Sequence, residues 1–135
     1  MSVEIIEKMR RKGMLHQAKV YFEKRLDFTI GPAELNSMIK RGDRLNIIDV
    51  CRPEDFAKGH IPGAVNLPEE SWSTFRGLSK DRPNIVYCYG IVCQLSTRGS
   101  KYFAEHEFPV IELQGGIEYW KKYEYPLETS KEFTV

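Results

Sequence analysis

The stretch Asn84-Ile85-Val86-Tyr87-Cys88-Tyr89-Gly90-Ile91-Val92-Cys93-Gln94-Leu95-Ser96-Thr97-Arg98 decides how this chain folds and where its chemistry lies. After Pro83, Asn84 to Tyr87 is a short, largely apolar and β-branched run, which predicts a buried strand. From Ser96 onward Gly99, Tyr102, Phe103 and His106 recur at helical spacing, so a helix is expected there, with Ser96 or Thr97 as its N-cap. The loop between strand and helix carries two of the chain's three cysteines. A thiol in that position faces free backbone N–H groups and the positive end of a helix dipole. Such surroundings lower a cysteine pKa from about 8.5 into a range of roughly 3.5 to 7.5. The loop is suited to hold a thiolate, or an anion bonded to one.

Composition bounds the rest. The 135 residues suit one domain with a real core, and 41% hydrophobic with 29% charged residues is ordinary for a globular chain. A net charge of +1 gives no general field toward nucleic acid or an anionic membrane. The basic run Lys8 to Lys12, interrupted only by Met9, reads as a solvated helix face. No apolar segment approaches the roughly 20 residues of a membrane span, and the first residues lack a signal-peptide core. Three cysteines make no disulfide scaffold, so the cytoplasm is the expected compartment. The spacing of Asp, Glu and His holds no metal pattern, and one Cys-x4-Cys without a second pair is not a zinc site. Neither metal nor cofactor is expected.

Moving outward, residues 3 to 26 read as helix with an apolar stripe of Leu15, Ala18, Phe22 and Leu26, weakened or divided at Gly13. That stripe needs a surface, either the rest of the chain or a second copy of it. Phe28 to Ile30 is strand-like, and Pro32 opens a helix that Gly42 stops. Leu45 to Val50 is a continuous apolar strand leading to Cys51. A helical turn at Pro53, a brief strand at Ala64 to Leu67, an irregular or helical segment to Gly77, a strand at Val110 to Leu113 and a helix from Ile117 follow. Strands alternating with helices predict an α/β sheet, mostly parallel, with its site beyond the carboxyl ends of the strands. Cys51 and Cys88 both sit at such ends.

Four segments in order carry a family resemblance. Ile48 to Phe56 is similar to the Asp-Val-Arg-x-Pro-x-x-Phe segment of rhodaneses, and Gly59-His60-Ile61-Pro62-Gly63-Ala64 matches their Gly-His-Ile-Pro-Gly-Ala motif. Val86-Tyr87-Cys88 matches the strand that delivers the catalytic cysteine, and Gly115-Gly116-Ile117-Glu118-Tyr119-Trp120 matches the Gly-Gly-x-x-x-Trp ending. The chain therefore resembles a single-domain rhodanese over about residues 28 to 127, of the subgroup with a Tyr-Cys-x-Gly-x-x-Cys loop. The resemblance implies a five-stranded, mostly parallel sheet with helices on both faces. Residues 1–27 form an added N-terminal helical extension, and residues 128–135 a weakly ordered tail.

It also implies sulfur transfer. A cysteine thiolate takes sulfane sulfur from a small donor, becomes a persulfide, and passes the outer sulfur to a thiol or protein acceptor. Cys88 is the expected nucleophile because it ends a buried strand, with Cys93 as a second, resolving thiol. Cys93 keeps a rival claim, since Cys93 to Arg98 reproduces the common Cys-x4-Arg spacing. Tyr89, Gly90, Ile91, Val92, Gln94, Leu95, Ser96 and Arg98 form the expected substrate loop. Asp49, Cys51, Arg52 and His60 support it, Asp49 through backbone or Arg52 and His60 by capping its turn.

Three departures from the family pattern bear on function. The loop holds about two extra residues, no Lys or Arg lies between Cys88 and Arg98, and Cys51 stands where the family commonly has Arg. A donor larger or less charged than thiosulfate is expected. The competing reading is a non-catalytic binding or redox-sensing module with a reversible Cys88–Cys93 disulfide. Phosphatase chemistry, found on the same fold, needs Cys-x5-Arg, and neither cysteine has it: Gln94 follows Cys88 at that spacing and Gly99 follows Cys93. Partners are thus a small donor and an acceptor, without nucleic acid or membrane, and a homodimer through the N-terminal helix is the alternative to packing within one chain.

Overall fold

The computed structural model describes residues 2–130. Five strands, β1 (Thr29–Ile30), β2 (Asn46–Asp49), β3 (Val65–Asn66), β4 (Asn84–Tyr87) and β5 (Val110–Leu113), form one sheet in the order β1-β5-β4-β2-β3. All four neighbouring pairs are parallel. The helices are α1 (Val3–Arg11), α2 (Met14–Asp27), α3 (Pro32–Arg41), α4 (Pro53–Lys58), α5 (Leu95–Glu105) and α6 (Gly116–Lys122), with a 3-10 helix at Glu69–Thr74.

Alternation along the strands builds two cores. Ile85 and Tyr87 of β4 face the side packed by Leu35 of α3 and by Ile117 and Trp120 of α6. Val86 and Cys88 face the other side, against Phe103 of α5 and Trp72 of the 3-10 helix. Covering helices on both faces are what a fully buried parallel sheet requires. Trp120 is wholly buried and its indole N–H donates to Pro126 O at 2.7 Å, so truncating it to alanine costs about 3–5 kcal/mol.

Proline and glycine punctuate as the sequence predicts. Pro32 sits in the first turn of α3, and Gly42 closes that helix at φ +75°. Gly13 at φ +65° divides the N-terminal extension into two helices, the division that its place in the sequence suggests.

The extension departs from the expected packing within one chain. No residue of α1 or α2 is buried, and Phe22 and Leu26 remain 53% and 79% exposed. The apolar stripe therefore does not pack within the chain, because the sheet's two faces are already occupied by α3, α5 and α6. At the other end the chain is held to residue 130. Glu128 pairs its backbone with His60 in both directions at 2.9 Å, and its carboxylate accepts from Gly63 N at 2.7 Å. Residues 131–135 of the expected loose tail lie outside the described residues.

Candidate active site

The parallel sheet brings the carboxyl ends of β2, β4 and β5 to one edge, where the loop from Cys88 to Gln94 crosses to α5. The cysteine end is clamped from below. Ile117 N donates to Cys88 O and Glu118 N to Tyr89 O, both at 2.9 Å, so the first turn of α6 caps the strand. That approach needs a residue without Cβ at position 116, where φ is +58° and any Cβ would clash with the Cys88 carbonyl. Tyr89 ties the loop to its neighbour: its hydroxyl donates to Asp55 Oδ2 at 2.6 Å and accepts from Arg52 N at 2.9 Å. Cys93 N donates to Gly90 O at 3.1 Å, closing a turn whose middle residues, Ile91 and Val92, project into solvent.

The expected N-cap is corrected. Gln94 precedes the first turn of α5 and its side chain makes no capping bond. The Ser96 and Thr97 hydroxyls instead donate to Glu112 Oε2 at 2.7 and 2.6 Å. Free amides of that first turn turn toward sulfur, Leu95 N–H toward Cys93 and Ser96 N–H toward Cys88.

The two thiols have unlike surroundings. Cys88 is 1% exposed, and its S–H lies 3.3 Å from Ser96 Oγ and 3.6 Å from Cys93 O. Burial, then the proton it offers to Cys93, pushes the Cys88 thiol above the ordinary range. Burial works against the Cys93 thiolate too, but is outweighed by the Cys88 S–H, the Leu95 and Tyr89 amides and the charge of Arg98, so Cys93 falls below the ordinary range. Two thiols this close titrate as a pair, and the first negative charge settles toward Cys93. Cys93 also lines a cleft of about 540 Å³ with Gln94, Ser96, Thr97, Glu112 and Arg25.

A rhodanese-like domain model matches residues 31–123. The chain belongs to the rhodanese-like family. The thiosulfate sulfurtransferase GlpE of Pseudomonas aeruginosa is 31% identical over 103 residues, covering 75% of this chain and 89% of that protein. The crystal structure of the BH2092 protein from Bacillus halodurans superposes with a TM-score of 0.78 at 34% identity, covering 85% of this chain and 86% of that one. A rhodanese-related protein from Thermoplasma volcanium, at 22% identity and a TM-score of 0.66, shares the fold, with 75% of this chain and 97% of that one covered.

Within this rhodanese-like framework the supporting residues take different places. Asp49 is buried behind the loop and accepts from Cys51 N at 2.8 Å; burial raises its carboxyl above the usual range, against the Tyr87 and Cys51 hydrogen bonds. Cys51 is buried, and burial followed by the Asp49 charge drives its thiol far upward, which makes it inert. Arg52 turns its side chain to Glu54 at 3.2 Å, not to the thiols or Asp49. Arg98 pairs with Glu69 at 3.1 Å while still lowering Cys93. His60 lies away from the loop, stacked on Phe56 and bonded through Nδ1 to Phe56 O at 2.7 Å. Asp55, Thr97 and Glu112 also belong to the site, although Asp55 was read only as a variable position of the Ile48 to Phe56 segment and Thr97 only as a cap. Asp55 could have been suspected from its place three residues after Arg52, but Glu112 carries no sequence signal beyond being an acid inside an apolar strand.

Proposed function

We propose that this chain is a sulfurtransferase that carries sulfane sulfur as a persulfide on Cys88. The observation that carries the reading is the pairing of a rigid strand-end cysteine with a second thiol under the same helix N-terminus. Membership of the rhodanese-like family and relatives named thiosulfate sulfurtransferase support the same chemistry.

The proton shared by the pair lets the charge shift from Cys93 to Cys88 as a donor arrives. The Cys88 thiolate attacks the donor's sulfane sulfur, the donor's bond to that sulfur breaks, and the leaving group departs with the electron pair. The product, Cys88–S–S⁻, lies beside the Ser96 amide, a donor that suits its charge. An acceptor nucleophile then takes the outer sulfur and returns the Cys88 thiolate, with no net redox change. In a side route Cys93 attacks the inner sulfur of the persulfide, hydrosulfide leaves, and a Cys88–Cys93 disulfide forms that two equivalents of external thiol reduce. Both routes need free thiols, and therefore a reducing compartment such as the cytoplasm.

One observation favours a second reading, in which Cys93 takes the sulfur: its thiol is the more acidic and lines the cleft. Intact mass and peptide mapping after exposure to sulfane donors separate the two. Sulfur on the Cys88 peptide supports the first reading and sulfur on the Cys93 peptide the second. No mass gain with any donor leaves the redox or binding module as the function.

A further inference from the structure

Glu112 is an acid on the four-residue strand β5, in register beside Val86 of the cysteine-bearing strand. Its Oε2 receives both the Ser96 and Thr97 hydroxyls. Ser96 Oγ in turn lies 3.3 Å from Cys88 Sγ, so one hydroxyl separates this carboxylate from the buried thiol. Glu112 also lines the same cleft as Cys93. A carboxylate is an unusual wall for a site that must receive an anionic donor.

The surrounding charge does little to offset it. Arg25 is the one cationic side chain along the described residues of that cleft, on α2 at its outer end. Arg98 pairs with Glu69 while acting on Cys93, and Glu118 sets a second carboxylate against Gly90 of the loop. Cys51 and Asp49 behind the loop add no positive charge.

Resting on the sulfurtransferase reading, we propose that Glu112 is the residue that selects the sulfur donor by charge. It disfavours dianions such as thiosulfate and favours low-molecular-weight organic persulfides, aminothiol persulfides above all. In the favoured reaction the thiolate attacks the outer sulfur of R–S–SH. The R–S to S bond breaks, R–S⁻ leaves with the electron pair and takes a proton from solvent, and the enzyme holds the sulfane sulfur. With thiosulfate the same attack expels sulfite, but the incoming dianion must approach a fixed negative charge one hydroxyl from the reacting sulfur. Coulomb repulsion grows with the donor's charge, so removing Glu112's charge changes donors unequally.

The test is donor-resolved kinetics on the whole chain with thiosulfate, methanethiosulfonate and 2-aminoethyl persulfide as sources. Glu112→Gln keeps an oxygen to accept from Ser96 and Thr97, and unchanged melting confirms that the scaffold is intact. This variant raises kcat/KM for thiosulfate about tenfold, raises it for the monoanion by about threefold, and leaves the aminothiol persulfide unchanged or lowered. Glu112→Asp, which retains the charge, keeps the wild-type ranking of donors. A Glu112→Gln variant that changes all three donors by one common factor, or none of them, overturns charge selection while leaving the sulfurtransferase reading intact. Wild-type protein that takes sulfur from none of the three overturns both.

Discussion

Ile117 N donates to Cys88 O at 2.9 Å, which fastens the start of α6 beneath the cysteine that ends β4. The contact exists only because Gly116 has no side chain, and Gly115 and Gly116 both adopt positive φ. The double glycine is thus a device for bringing a helix end against a strand end, and it fixes the backbone from which Cys88 projects.

Gly116→Ala is expected to cost about 2–4 kcal/mol, since the new Cβ meets backbone and the conformation is left-handed. Chemical denaturation measures the loss. Gly13→Ala, at a positive φ in open space, costs only about 1 kcal/mol and leaves sulfur transfer untouched.

Cys93 titrates below an ordinary thiol and Cys88 above one, so alkylation by iodoacetamide at neutral pH modifies Cys93 first. Because the folded pKa of Cys93 is depressed, its thiolate persists to lower pH than a free cysteine, and reactivity falls only below the ordinary range. Cys88→Ala removes the S–H donor, and the midpoint of the alkylation profile moves up. A midpoint unmoved by Cys88→Ala contradicts the shared proton.

Arg98 and Glu69 form an exposed pair, with both side chains more than half accessible, so Arg98→Ala should change stability by less than about 0.5 kcal/mol. The same substitution shifts the Cys93 alkylation midpoint upward, because Arg98 is one of the groups that lowers it. A stability loss without a change in midpoint would place Arg98's role in the fold instead.

The alternation of strands and helices, the bounds of α3 and the strand-end cysteines were legible because they rest on local signals, whereas the order of the strands was not read from the sequence. The buried run before Cys88, Pro32 at a helix start and Gly42 at its end each declare themselves within a few residues. The Ser96 cap failed because the helix begins one residue earlier, at Leu95, which puts Ser96 and Thr97 inside its first turn; their bonds to Glu112, which β5 brings beside β4, are ones no local pattern carries. The helices of the amphipathic extension were legible but the cover of their stripe was not, since amphipathicity states that a surface is needed but not which one.

The exposed apolar residues of α1 and α2 lead us to expect a second copy as their cover. Glu4 and Glu7 lie in the first half of α1 and Lys8, Arg10 and Arg11 in the second, so two antiparallel copies set acids against bases. Sedimentation velocity of the whole chain should give a dimer, and Ile6→Asp with Phe22→Asp a folded monomer. A wild-type monomer at high micromolar concentration contradicts this.

The central claim is that Cys88 carries the sulfur, and intact mass with peptide mapping of two variants tests it most directly. After exposure to an organic persulfide and removal of excess donor, wild-type protein gains one sulfur atom on the Cys88 peptide. Cys93→Ser gains the same sulfur and holds it longer, because the resolving thiol is gone, while Cys88→Ser gains none. Sulfur that survives in Cys88→Ser and disappears in Cys93→Ser would contradict the account.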